Sequence, residues 1–399
     1  MAPSFSIRTR DPGSRARTGT LALAHGEVRT PAFVPLATKA VVKTLEPSEL
    51  AALGYDMVLS NTFHLFLAPG AELIERLGGV HRFMRWPRPV ITDSGGFQVF
   101  SMGHGTVADE IKGRANRASS SGAILAIDDA GVRFRSYVDG SERFMGPETS
   151  MAVQAALGSD IALVFDECLP FHVTREYTLR STERTHRWLD RCLSWHEEHG
   201  SPAQGVYGIV QGGVDEALRR WSAQEVAARP SFGVAIGGTL GQDKAQMYEV
   251  VGWTTEELPE ARPRHLLGIG DVDDLLRGVE LGIDTFDCAM PTRIGRHGMA
   301  VVPEPERRWR VDLAKGRYRE ADEPLCPGCP CSACAPGYSR AYLHHLFRLR
   351  ETTGARIVTL HNLAYLQLLM AALRAAIDAG RLTEATAAAR AGAPPWEMG

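Results

Sequence analysis

The chain has 399 residues, 44% of them hydrophobic and 23% charged, with 44 Lys plus Arg against 47 Asp plus Glu for a net charge of -3. This balance excludes a small disulfide-stapled module, a disordered or fibrous chain, and a protein that coats polyanions by overall charge, so any nucleic-acid surface has to be a local patch. No window reads as the uncharged run of about 18 apolar residues that a spanning helix needs, and the N-terminus MAPSFSIRTRDPGSRAR lacks the apolar core of a signal peptide. The expected address is cytoplasmic, with no membrane partner.

Short apolar, β-branched runs recur along the chain: MVLS before Asn61, PVIT before Asp93, IALVF before Asp166, GIV before Gln211, GVAI before Gly237, HLLGI before Gly270 and IDTF before Asp287. Helical patterns over 147–158, 174–200, 215–229 and 272–282 separate several of them, with Thr174 and Asp215 at N-cap positions. Strands alternating with helices imply a parallel sheet. Polar residues at so many strand C-termini favour a closed (β/α)8 TIM barrel, which gathers those ends on one catalytic face, over an open doubly wound sheet.

The barrel is expected over 1–300, with an insertion at 101–140, rich in Gly and Ser near RANRASSSG, as a mobile loop or small hairpin over the site. An inserted zinc-binding, RNA-contacting subdomain is expected over 301–361. A C-terminal helical segment, 362–399, should pack back on the barrel, with helical patterns at SRAYLHHLFRLRE and NLAYLQLLMAALRAAIDAGRL and a fraying end, ATAAARAGAPPWEMG.

Seven cysteines are an odd number, and Cys326, Cys329, Cys331 and Cys334 crowd one stretch, which fits metal ligation better than a disulfide framework. Cys329, Cys331 and Cys334 form a C-x-C-x2-C run, and with His361 they would complete a closed, structural, tetrahedral zinc site, one ion per chain. Cys326 competes with His361 for the fourth position; His344 and His345 read as helix-surface residues.

Asp93, in ITDSGGFQ, and Asp287, in IDTFDCAMPTR, each follow a predicted strand. Two carboxylates on one barrel face suit cleavage at an anomeric carbon, one as nucleophile and the other as proton donor to the leaving group. Asp166 and Gln211 offer the acceptor and donor pattern that reads a purine edge, and Phe97 could stack on a flat base. Between 293 and 319 lie Arg293, Arg296, Arg307, Arg308, Arg310, Lys315, Arg317 and Arg319 against three acids, a local basic patch suited to a phosphate backbone.

The motifs DSGGFQ, FRSYVDGSERFMGPE with LGSDIALVFDEC, YGIVQGG, FDCAMPTRIGR, and CPCSAC followed by HNL resemble the tRNA-guanine transglycosylase family of the bacterial type, and the resemblance covers nearly the whole chain. It implies a zinc-containing barrel that exchanges the wobble guanine of tRNAs with G-U-N anticodons for a 7-deazaguanine base. By that resemblance Asp287 would be the nucleophile and Asp93 the general acid and base. Asp166, Gln211, Gly237 and the Gly238 N–H would read the base edge, with Phe97 and Leu267 on its two faces and Cys168 lining the pocket. Thr292, Arg293 and Arg296 would hold the anticodon, and a homodimer is expected.

The sequence departs from the family where Gly237-Gly238 runs on as Thr239-Leu240-Gly241-Gln242-Asp243, in place of the Leu-Ala-Val-Gly-Glu of many bacterial members. Whether Asp243 replaces that glutamate, and whether the incoming base is 7-aminomethyl-7-deazaguanine or queuine, stay open at this point. Leu267 and Asp271 likewise stand where relatives often carry Met and Lys. A DNA-modifying transglycosylase and a noncatalytic RNA-binding partner subunit are the competing readings; the second predicts a missing nucleophile, whereas both aspartates are present.

Overall fold

The structure is a computed structural model that describes residues 1–104, 124–169, 173–238 and 240–398. Eight parallel strands form its centre: β1 (Ala32–Pro35), β2 (Val58–Ser60), β3 (Val90–Thr92), β4 (Ile161–Leu163), β5 (Gly205–Val210), β6 (Gly233–Ile236), β7 (Arg264–Leu266) and β8 (Thr285–Cys288). Their order is β1-β8-β7-β6-β5-β4-β3-β2, and a parallel bridge from Leu36 to Leu59 joins β1 to β2 and closes the ring. The fold is a (β/α)8 barrel. Strands built of Val, Ile, Leu and Phe are buried on both faces, as a parallel sheet covered by helices requires.

Seven of the eight strands answer to the apolar runs of the sequence. The eighth, AFVP, is four residues that follow one proline and end on another, and it carries no alternation that would mark it. The helices agree to within one or two residues, at Pro147–Leu157, Arg175–His199, Glu216–Ala228 and Val272–Glu280. Thr174 and Asp215 cap theirs, accepting the N–H of Tyr177 and Leu218.

An N-terminal antiparallel sheet, Ser4–Arg10, Arg17–Leu23 and Gly26–Thr30, had no counterpart among the expected elements. It touches the barrel at the N-terminal strand ends, opposite the mouth. Arg17 grips Asp284, the residue before β8, with Nε and Nη2 at 2.9 and 2.7 Å, both side chains fully enclosed. Asp160, the residue before β4, accepts from the His25 and His81 rings at 2.9 Å each and from the Val90 N–H, and those two rings stack at 3.6 Å.

The described end of the insertion, from residue 124, and the residues that follow it to 145 form a three-stranded antiparallel sheet, Ile124–Ile127, Val132–Arg135 and Glu142–Met145. Tyr137, at the turn of its second hairpin, meets the His64 ring with its hydroxyl 2.8 Å from Nδ1, beside the first turn of the helix after β2. RANRASSSG lies outside the described residues.

Beyond β8 the helix Met290–Arg296 packs on the long helix Thr352–Asp378. That packing depends on Gly295, where a Cβ would stand 3.0 Å from the backbone of Thr359. The long helix starts ahead of the expected HNL segment, takes in RIVTL, and runs unbroken past His361. It is long and apolar enough to cross a membrane by length and composition, but two-thirds (67%) of its most apolar window is buried inside the fold. The Ala-rich end does not fray: Leu382–Arg390 is a helix, because Ala has the highest helix propensity and Leu382, Ala385 and Ala389 find apolar cover.

Candidate active site and metal centre

Asp93 directly follows β3, where the chain turns through Gly95 into the helix Gly96–His104. Asp93 Oδ1 accepts the Thr62 N–H at 2.9 Å, and Oδ2 accepts from the Asn61 side-chain amide. Asn61 also caps the helix Thr62–Leu67, its Oδ1 taking the His64 N–H at 2.9 Å, which turns its NH2 group towards Asp93. Burial outweighs these donors and, with the negative charge of Asp287 close by, pushes the Asp93 carboxyl up to about 7.

Asp287 is buried near the end of β8. Its Oδ1 lies 3.1 Å from His265 Nε2 and accepts the Gly268 N–H at 3.1 Å. Its Oδ2 accepts no hydrogen bond from the described residues. One acid is thus held near neutrality while the other presents a single bare oxygen.

Asp166, buried just past β4, accepts from Ser94 Oγ at 2.9 Å and from Gln211 Nε2 at 2.6 Å; burial nevertheless pushes it up to about 6. Gln211 Oε1 is buried and accepts nothing from the described residues. An orphaned buried acceptor costs about 1–3 kcal/mol, which an entering N–H donor would recover. Gly238 faces that oxygen at φ +79, and a Cβ there would stand 2.2 Å from it, so this backbone tolerates no side chain.

Leu267 lies across from Gly237, and Phe97 and Cys168 stand half-buried on the segments after Asp93 and Asp166. The structure therefore brings Asp93, Asp166, Gln211, Gly237, Gly238, Leu267 and Asp287 to one barrel mouth. Sequence reasoning missed Asn61 as a partner of Asp93, although it noted the residue at a strand end. It also missed His265, and Arg219, a wholly buried side chain whose Nε and Nη1 bind the Gly213 and Val210 carbonyls at 2.6 and 3.1 Å and brace the Gln211 turn.

Beside the mouth, Arg293 is exposed and Arg296 partly so on the helix Met290–Arg296, while Thr292 is buried with its hydroxyl on the Ala289 carbonyl. The basic run behind them is partly neutralised: Arg307 pairs with Glu304 at 2.9 Å, Lys315 with Asp312 at 3.7 Å, and Arg310 with Asp271. Asp243 caps the helix Lys244–Glu257, accepting the Gln246 N–H at 2.9 Å; Thr239 lies outside the described residues.

The cysteine stretch folds against the long helix. Cys329, Cys331 and Cys334 place their Sγ atoms 3.8, 3.7 and 3.3 Å from His361 Nδ1, and the four ligand atoms lie within 4.8 Å of one another. A tetrahedral zinc with bonds of about 2.3 Å to sulfur and about 2.0 Å to nitrogen separates S from N by roughly 3.6 Å, so this donor set could hold such an ion. His361 Nε2 donates to the Val301 carbonyl at 2.7 Å, which leaves Nδ1 as the ligand atom. Cys326 is buried nearby, outside the group of four. Asn362, the next residue, accepts the Val301 N–H at 2.8 Å and donates to the Pro291 and Met299 carbonyls, tying this centre to the helix that carries Arg293.

A family model described as Queuine tRNA-ribosyltransferase matches residues 11–394. The chain belongs to that family. Among similar proteins of the family is the queuine tRNA-ribosyltransferase of Roseiflexus sp. (strain RS-1), 49% identical over 390 residues, covering 96% of this chain and 97% of the relative. That of Pelotomaculum thermopropionicum is 46% identical, with 96% and 97% covered, and that of Moorella thermoacetica 44% identical, with 97% and 96% covered. The queuine tRNA-ribosyltransferases are pentosyltransferases, and the mouth described above brings the carboxyl groups of Asp93 and Asp287 close together.

Proposed function

We propose that the chain is a tRNA-guanine transglycosylase that exchanges the wobble guanine of G-U-N anticodon tRNAs (Asp, Asn, His, Tyr) for a 7-deazaguanine base, in queuosine biosynthesis. The observation that carries this reading is the pairing at one mouth of Asp93, raised to about 7, with Asp287, whose Oδ2 accepts nothing from the described residues. Asp287 attacks ribose C1′ as Asp93 gives its proton to the departing guanine. The incoming base then gives its proton to Asp93 and displaces Asp287, so configuration is retained.

In this scheme Asp166, Gln211 and the Gly238 N–H read the base edge, with Phe97, Cys168, Gly237 and Leu267 forming the slot around it. The orphaned Gln211 Oε1 supports this, since a flat base with N–H groups on its edge supplies the missing donor. Arg293 and Arg296 meet the anticodon phosphates, with Thr292 fixing the turn beneath them. Cys329, Cys331, Cys334 and His361 would hold zinc, which would supply structural cross-linking only, since four protein donors would fill its coordination. Exposed Tyr342 and Leu349 on the helix Arg340–Leu349 offer apolar surface for a second copy, and a cytoplasmic homodimer completes the proposal.

Asp287→Asn should abolish the covalent protein–tRNA adduct seen on a denaturing gel while tRNA binding persists. An adduct of native yield from that variant would contradict the assignment.

A further inference from the structure

His265 is wholly buried on β7, in register with Thr285 of β8, and so on the same face as Asp287 two residues further on. Barrel interiors are ordinarily filled by branched aliphatic side chains. An imidazole gives up some of that packing, and here both of its nitrogens are engaged. Nε2 lies 3.1 Å from Asp287 Oδ1 and Nδ1 2.9 Å from Thr285 Oγ1. A neutral ring serves both partners in one tautomer: Nε2–H donates to the carboxylate and Nδ1 accepts the threonine hydroxyl. Gly268 N–H falls on the same carboxylate oxygen, so two donors converge on Oδ1 and none of the described residues donates to Oδ2.

We infer that His265 is a positioning residue that, with the Gly268 N–H, anchors Oδ1, presents Oδ2 to the sugar, and speeds release of the ribosyl group from its ester with Asp287. The inference rests on Asp287 being the nucleophile. In the first step the Oδ2–C1′ bond forms and the C1′–N9 bond breaks, the electron pair leaving with guanine as Asp93 protonates it. In the second, N9 of the incoming base bonds to C1′, the C1′–Oδ2 pair returns to Asp287, and the N9 proton passes to Asp93. Negative charge drains from Oδ1 in the first step and returns in the second. Donors fixed on Oδ1 stabilise the free carboxylate over the ester and favour the second step at the expense of the first.

The test compares His265→Leu, which has no donor, with His265→Gln, which restores an N–H. Thr285→Val keeps the ring but leaves Nδ1 without its hydroxyl, and it serves where His265→Leu does not fold. Purified full-length protein, a G-U-N anticodon transcript and labelled guanine give two readouts: the fraction of protein in the adduct and the turnover rate. The ratio of adduct to turnover should rise about tenfold in His265→Leu, the worth of roughly one charge-assisted hydrogen bond. It should rise less in Thr285→Val and stay within about twofold of native in His265→Gln. A merely structural role would lower adduct and turnover together. An unmoved ratio in whichever of the Leu and Val variants folds, or a parallel loss of both readouts, overturns the inference. Native protein that exchanges guanine without any adduct would instead overturn the nucleophile assignment beneath it.

Discussion

Asp93 shows how a single carboxyl is set apart by its surroundings. Removal from water pushes it up to about 7 despite donors from Thr62, Gly95 and Asn61. The native state therefore holds a proton that the unfolded chain, with a carboxyl near 3.8, releases. Between those two values stability falls as pH rises, so ionised Asp93 is a cost to the fold at neutral pH. Asp93→Asn should then raise stability by about 1–3 kcal/mol at pH 8 and by little at pH 4, while exchange is lost. Denaturant unfolding at the two pH values checks this, and an equal effect at both would be evidence against a buried, proton-holding Asp93. In the native protein the first step, which needs the proton, should slow as pH climbs above about 7.

Both aspartates were legible in the sequence because each ends an apolar run, which is where a parallel barrel collects its polar side chains. His265 was hidden inside such a run, HLLGI. Its signal was a polar residue opening an apolar run, next to Arg264, and only the register with Thr285 shows that its ring faces Asp287. Arg219 was masked by the ordinary amphipathic pattern of its helix, where its neighbour Arg220 pairs with acids at the surface.

Among the elements, the loop of cysteines and the helix Thr352–Asp378 depend on each other. Three thiols have little reason to gather round one imidazole unless an ion compensates their repulsion when deprotonated. Elemental analysis should find about one zinc per chain, and Cys334→Ser should lose it together with a markedly lower thermal midpoint. A metal-free native preparation with full activity would rule out the centre. The spacing C-x-C-x2-C made these ligands readable. Their seat was not: RIVTL resembles a strand by its β-branched residues, yet it is the second turn onward of a long helix whose packing against Met290–Arg296 overrides local propensity. The antiparallel N-terminal sheet escaped notice for a related reason, since its first strand is half exposed and its value lies in distant ion pairs such as Arg17–Asp284.

At the scale of the whole molecule, the barrel brings eight separate strand ends to one mouth, and Asn362, next to His361, couples the cysteine-rich segment to the basic helix at its rim. A net charge of -3 conceals this arrangement, because Arg293 and Arg296 are presented locally while Arg307, Arg310 and Lys315 are already paired. The pocket would receive one base while the rim holds the backbone around it, which demands that the nucleotide leave its stack. The most direct measurement is guanine exchange, with purified zinc-loaded protein, labelled guanine, an unmodified transcript bearing a G-U-N anticodon and a second transcript with the wobble guanine replaced. Label should enter the first transcript and not the second. Incorporation into neither, or equally into both, would contradict a wobble-specific tRNA-guanine transglycosylase.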